Sequence, residues 1–176
     1  MKGIQMKKIF MSIICGVLMG IMASVNVFAM PFNPNQYTSV EINSSLLPEG
    51  VKQDKASERA VRRGDFFVGA DLIISDEGNG GIGVLAVAYF SVPVEEVYIT
   101  VYLDRWDEDA ESWRQVTYYD AEFYASDYPD GLETPSVSLT FNQAKGYYYR
   151  LRGVYAAILN GNFEGFSPVT DGILIK

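Results

Sequence analysis

The chain has 176 residues with 14 basic and 22 acidic side chains, one cysteine and no histidine, for a net charge of −8. Absence of histidine removes the usual general base, the commonest zinc ligand and the side chain that titrates near neutral pH. The single cysteine, Cys15, lies in a segment read below as lost on export, and thiol nucleophiles, Cys/His zinc sites, iron–sulfur clusters and disulfides go with it.

Lys2, Lys7 and Lys8 give a basic start, and Ile9 to Ala23 is nearly unbroken apolar chain. Val27-Phe28-Ala29 then places short residues where a signal peptidase reads. The pattern predicts a cleavable secretory signal over residues 1–29, cut after Ala29. The apolar run of ~15 residues falls short of the roughly 20 that span a bilayer, so the expected product is secreted and extracellular, with no membrane attachment after cleavage. Cys15 sits inside the apolar run behind Ile13-Ile14, which is poor placement for a lipid anchor. The signal holds three of the basic residues and no acidic one, leaving −11 on the mature chain. That charge repels nucleic acid and anionic lipid, and neither is an expected partner.

Residues 30–62 are rich in Pro, Asn, Ser, Glu and Lys without sustained period, and predict a flexible tail or linker with a weak helix over 54–61. From about residue 63 the character changes. Phe66, Val68, Ala70, Leu72 and Ile74 alternate as a strand requires, Asp76 to Gly81 is a turn, and Ile82 to Ser91 is a second strand. Val97, Ile99, Val101 and Leu103 alternate with Tyr98, Thr100 and Tyr102 in the clearest two-faced strand. Asp107 to Ser112 joins it to Trp113–Tyr124 as a hairpin. After the turn at Asp127–Gly131, strands are expected over 136–141, 147–159 and 163–175, with Asn160-Gly161 as a tight hairpin between the last two. Seven to eight short strands at this spacing predict an all-β antiparallel Greek-key sandwich of the fibronectin type III or immunoglobulin kind over 63–176.

The segment Lys145 to Gly153, with Tyr147-Tyr148-Tyr149-Arg150-Leu151-Arg152, resembles the sixth strand of fibronectin type III domains. The resemblance implies that Tyr147 is the corner tyrosine capping backbone across the sandwich. Gly161 and Ser167-Pro168 also fall where that family has them. The core tryptophan usual in the second strand is missing from Ile82–Ser91, where Phe90 or Tyr89 stands in. Arg63-Gly64, the Gly78 to Gly83 turn, Trp113, the Gly-Tyr-Tyr-Tyr-Arg run and Thr170 to Ile173 make residues 63–176 similar to a family of small secreted proteins of Gram-positive bacteria known as a domain of unknown function. That likeness implies a fold and an export route, and no activity.

Few residues suggest chemistry. Asp107, Asp109 and Glu111 are spaced like the start of an oxygen-ligand calcium loop, although glycine is absent at the sixth position, where Ser112 stands, and no closing glutamate follows. Their simpler role is a solvated hairpin tip, and no cofactor is expected. Arg63-Gly64-Asp65 spells an adhesion tripeptide, a pattern short enough to arise by chance. No nucleophile has a histidine partner, and no Ser-x-x-Lys arrangement occurs in the mature chain.

Alternation puts Tyr98, Tyr102, Tyr148, Arg150 and Arg152 on one sheet face, which the reading leaves solvent-exposed, while Trp113 and Tyr147 are assigned to the core. Aromatic rings and guanidinium forks suit a protein or glycan interface. The leading expectation is therefore a non-enzymatic module that binds an extracellular protein or glycan through this face. The alternatives are an acidic structural exoprotein without a ligand and, more distantly, a carboxylate-dependent glycan hydrolase.

Overall fold

The alternation that predicts strands beyond residue 66 produces them. The computed structural model describes residues 30–60 and 66–176; the expected signal segment and the Arg63-Gly64-Asp65 tripeptide lie outside the described residues. Among the described residues there are nine strands: β1 (Gln53–Arg59), β2 (Phe67–Gly78), β3 (Gly81–Phe90), β4 (Glu96–Asp107), β5 (Ser112–Tyr124), β6 (Ser136–Asn142), β7 (Tyr148–Leu159), β8 (Asn162–Phe166) and β9 (Ile173–Leu174). They form two antiparallel sheets, one in the order β1-β2-β3-β6 and the other β5-β4-β7-β8, with the short β9 also paired to β7. The chain changes sheet between β3 and β4, β5 and β6, and β6 and β7, which makes the sandwich a Greek key.

Local chemistry sets the hairpins. Asn160-Gly161 joins β7 to β8 with φ of 51° and 75°, the paired left-handed residues of a two-residue loop that matches strand twist. The core lies between the sheets. Leu72, Ile74, Ile82, Val84 and Ala86 meet Val97, Ile99, Val101, Leu103, Tyr149 and Leu151, all buried. Tyr155 crosses this layer from β7 and donates its hydroxyl hydrogen to the Asp71 carbonyl of β2, at 2.8 Å. Burial pushes its phenol well above the ordinary tyrosine value.

Two expectations are corrected here. Val68 does not share the inward face of β2, because a bulge between the Phe67 and Gly69 pairings turns it out to solvent. Residues 53–60, expected within an irregular tail and a weak helix, instead supply β1, an edge strand paired along its whole length with β2. Charge explains this better than apolar pattern. β1 offers Lys55, Ser57 and Arg59 on one face, and all three side chains converge on the buried Asp71 of β2. Lys55 Nζ lies 2.8 Å and Arg59 Nη2 2.5 Å from its carboxylate, and the hydroxyls of Ser57 and Tyr89 donate to it at 2.7 and 3.0 Å. Phe32–Lys176 form one compact unit.

Burial by itself raises the Asp71 carboxyl, but the hydrogen bonds from Lys55, Ser57, Arg59 and Tyr89 outweigh it and hold the group well below the usual carboxylate range. Its folded value thus lies below the unfolded value of about 3.9, so its stabilisation is complete above that value and fades as pH falls toward the folded one. Asp71→Asn should lower stability at pH 7 by on the order of 1–2 kcal/mol, given that both cations are half-exposed and screened. In urea titrations between about pH 5 and pH 2 it should also flatten the acid loss of stability. An unchanged acid slope would mean that another carboxylate is responsible.

Candidate functional site

β4 and β7 are neighbours in exact antiparallel register over their middle, with Tyr102 opposite Arg152 and Asp104 opposite Arg150. The pleat sends Tyr98, Tyr102, Tyr148, Arg150 and Arg152 to the outer face, as the alternation predicts. That face is nevertheless covered. Tyr98, Tyr102 and Arg152 are buried, Arg150 is 0 % exposed, and only Tyr148 is partly open. The cover is the segment 32–47, here called the strap, which sequence analysis assigned to the flexible tail.

Hydrogen-bond demand explains the cover. Asp104, itself 0 % exposed, accepts from Nε of Arg150 at 3.1 Å and from Nε and Nη2 of Arg152 at 2.6 and 3.0 Å. One carboxylate faces two guanidinium groups, and the strap supplies the remaining acceptors. Arg150 donates through Nη1 to the Ile42 carbonyl (2.5 Å) and Ser44 Oγ (2.8 Å), and through Nη2 to the Val40 carbonyl (2.7 Å). Arg152 reaches Thr38 Oγ1 at 3.4 Å and Gln115 Oε1 at 3.1 Å. Among the described residues no buried side-chain nitrogen or oxygen lacks a partner.

Aromatic rings close the cluster laterally. The Arg150 guanidinium lies 4.5 Å from the Trp113 ring centre and that of Arg152 4.7 Å from Tyr102. The Tyr102 hydroxyl donates to Asn35 Oδ1 at 3.0 Å, and Phe32 packs edge-on to Tyr98 and Phe163. Burial pushes the Arg150 guanidinium down from its ordinary value, and Asp104 opposes that. Burial and a hydrogen bond to Glu96 push the Tyr98 phenol far up.

The two core assignments also change. Trp113 is buried, but on this outer face rather than between the sheets, wedged against Arg150 and 5.3 Å from Trp106. Tyr147 is 43 % exposed, because it precedes β7 at the open end of the sandwich. Tyr149, two residues on, is buried and donates its hydroxyl hydrogen back to the Ala144 carbonyl at 2.9 Å.

Asp107, Asp109 and Glu111 occupy the tip of the β4–β5 hairpin. Asp107 is spent on local structure, with Oδ2 2.7 Å from Arg114 Nε and Oδ1 accepting from the Ala110 amide. Glu111 takes the left-handed position of the turn at φ 45°, the place a glycine would fill. Among the described residues no three acidic, cysteine or histidine side chains are grouped to hold a metal.

At this end of the sandwich a groove of about 460 Å³ opens between the hairpin and the β6–β7 loop. Arg105, Trp106, Glu108, Asp109, Lys145 and Tyr147 line it, with the Arg105 guanidinium 4.7 Å over the Tyr147 ring. A smaller cleft of about 210 Å³ lies between the hairpin and strap residues 40–44, and Trp106 lines both. No single strand period reveals the groove, because its members come from hairpin tip and loop, and Tyr147, expected in the core, is one of its walls.

No protein-family model matches the chain, and no curated protein matches it significantly.

Removing Asp104 leaves two guanidinium groups facing each other under the strap, so Asp104→Ala should cost about 3–5 kcal/mol. Arg150→Ala should also destabilise measurably, unlike a change on a solvent-facing patch, and urea unfolding checks both. Conversely, Glu111→Gly relieves a left-handed residue and should raise stability by up to about 1 kcal/mol in the same assay.

Proposed function

We propose that this chain is exported after cleavage at Ala29 and works as a non-enzymatic binding module for an extracellular protein or glycan. On this reading contact is made through the groove at the hairpin end rather than through the Tyr/Arg sheet face. The observation that carries it is the pairing of an open groove with a closed face. The groove sets the rings of Trp106 and Tyr147 beside both signs of charge, Arg105 and Lys145 against Glu108 and Asp109. Flat aromatic faces with flanking hydrogen-bonding charges suit sugar rings and peptide side chains alike. The arginine forks of the sheet face are already committed to Asp104 and the strap.

The module is read as fibronectin type III-like. The orders β2-β3-β6 and β4-β7-β8 parallel the A-B-E and C-F-G neighbours of immunoglobulin-type sandwiches, with β1 as an added edge strand, and Tyr149 supplies the corner. Membership of a family of small secreted Gram-positive proteins is part of the same proposal.

A glycan array and a surface-protein pull-down with residues 30–176 test it. A saturable hit should weaken at least tenfold with Trp106→Ala and with Tyr147→Ala. Tyr147→Ala should leave the melting temperature nearly unchanged, since that ring stands half out in solvent. A hit indifferent to both substitutions places recognition elsewhere. No hit from folded protein favours an acidic structural exoprotein.

A further inference from the structure

A sheet edge is where a sandwich can accept a further strand, and β5 is the longest edge strand among the described residues. It ends the order β5-β4-β7-β8, so one row of its main-chain groups pairs with β4 and the other row has no strand beside it. A bulge between the Leu103 and Asp104 pairings interrupts its hairpin half, but Thr117 to Tyr124 pair with β4 without a break. This stretch has no Pro, Lys or Arg, residues that commonly guard an edge. Its only charges are Asp120 and Glu122.

Alternation splits the stretch into two faces. Tyr118, Asp120, Glu122 and Tyr124 share the outer face with Tyr98 and Thr100 of β4. Asp120 accepts the Thr100 hydroxyl at 2.7 Å, Glu122 the Tyr124 hydroxyl at 2.5 Å, and Glu96, on the same face, the Tyr98 hydroxyl at 2.5 Å. Hydroxyls are neutral, and among the described residues none of these three carboxylates is in an ion pair. The face therefore sets three uncompensated negative charges among phenol rings. Tyr119, Ala121 and Phe123 form the other face of β5. With Val137 of β6, the edge strand of the opposite sheet, they line an open groove of about 430 Å³, and Ala121 and Phe123 pack on the core.

An added strand gains main-chain bonds from the edge, and its alternate side chains meet the two faces in turn. Asp120 and Glu122 stand two residues apart, so cations two residues apart, about 7 Å from one another, match them and come within reach of the phenol rings. The residues between those cations turn to the groove, where apolar side chains suit Ala121, Phe123 and Val137. We propose that the 117–124 edge of β5 is a docking site for an extended basic segment of another protein, in which Lys or Arg alternates with apolar residues, added to the sheet as a further strand. Charge decides against a second copy of this chain. Two β5 edges paired antiparallel about Ala121 would set each Asp120 opposite a Glu122, a destabilising like-charge contact, and the whole chain is net acidic at −8. The site is separate from the hairpin groove, since it occupies the end of β5 remote from the hairpin.

The probe is a fluorophore-labelled peptide of alternating Lys and Val, as long as the 117–124 stretch, added to residues 30–176 and read by anisotropy at low ionic strength. Saturable binding is expected, at least tenfold tighter than that of a Glu-Val peptide or of a peptide with the same Lys and Val residues in two blocks. Asp120→Asn with Glu122→Gln should weaken it at least fivefold and leave the melting temperature nearly unchanged, since both side chains are exposed and their replacements still accept the same hydroxyls. Main-chain pairing is read with the protein left unaltered, by N-methylating the Lys amides of one probe and the Val amides of another, because alternate amides of a strand point to opposite edges. One of the two should bind at least tenfold more weakly than the other. No saturable binding, equal binding of the blocked peptide, or indifference to the carboxylate substitutions overturns the site. Equal binding of the two methylated probes overturns strand addition. A dimer at high protein concentration that the Lys-Val peptide disperses gives the edge to a second copy and overturns the basic partner.

Discussion

One buried carboxylate organises the outer half of this molecule. Asp104 sits on the outer face of its sheet with two arginines from the neighbouring strand, and a single negative charge cannot satisfy ten guanidinium hydrogens or two positive charges. The shortfall must be met by water or by other acceptors. Here it is met by strap carbonyls and hydroxyls, and the placement of residues 32–47 follows from that need. The arginines hold the middle of the strap, while Phe32 packed on Tyr98 and Phe163, and Leu47 packed on the core, anchor its two ends.

The opposite sheet repeats the device with the signs of the partners shared out differently. Asp71 on β2 is again a lone buried carboxylate on an outer face, and it gathers Lys55, Ser57 and Arg59 from β1. In the first case the cations belong to the sheet and the acceptors to the added segment; in the second the cations belong to the added strand. Both sheets thus recruit a stretch of the N-terminal chain through polar satisfaction. The inter-sheet core, by contrast, is assembled by ordinary apolar alternation. Tyr155 ties the two systems together, since its hydroxyl reaches the backbone of the residue whose side chain anchors β1.

That division explains what the sequence made legible. Period-two alternation located most strands beyond residue 66, the Asn160-Gly161 hairpin and the shared face of Tyr102, Arg150 and Arg152, because burial on one side of a sheet leaves a direct imprint on residue order. The N-terminal segments leave no such imprint. Gln53 to Arg59 reads as polar chain, and Val40 to Ser44 is bound through carbonyls that every residue possesses. A signal was present even so: two arginines and one aspartate on the same face, deep within strands, are costly to leave uncovered by acceptors, and an unassigned polar segment is the natural source of them. Tyr147 and Tyr149 share a parity, which is why alternation alone could not choose between them for the corner; the choice depends on where β7 begins, and strand ends are set by the loop.

The two surfaces at the hairpin end are mechanically linked through one side chain. Trp106 packs edge-on against Trp113, which in turn lies under Arg150, and the Trp106 indole lines both the large groove and the cleft against strap residues 40–44. The position of the ring is therefore set jointly by the hairpin, the arginine cluster and the strap. A groove lined only by loop side chains would be soft. Here one of its aromatic walls is backed by a charged cluster with every hydrogen-bonding atom engaged, and such rigidity lowers the ordering cost of any ligand that stacks there. The buried Asp104 cluster thus acts on the exposed end of the protein as well as on the covered face, because the strap that satisfies the arginines also fixes the indole that the open groove presents.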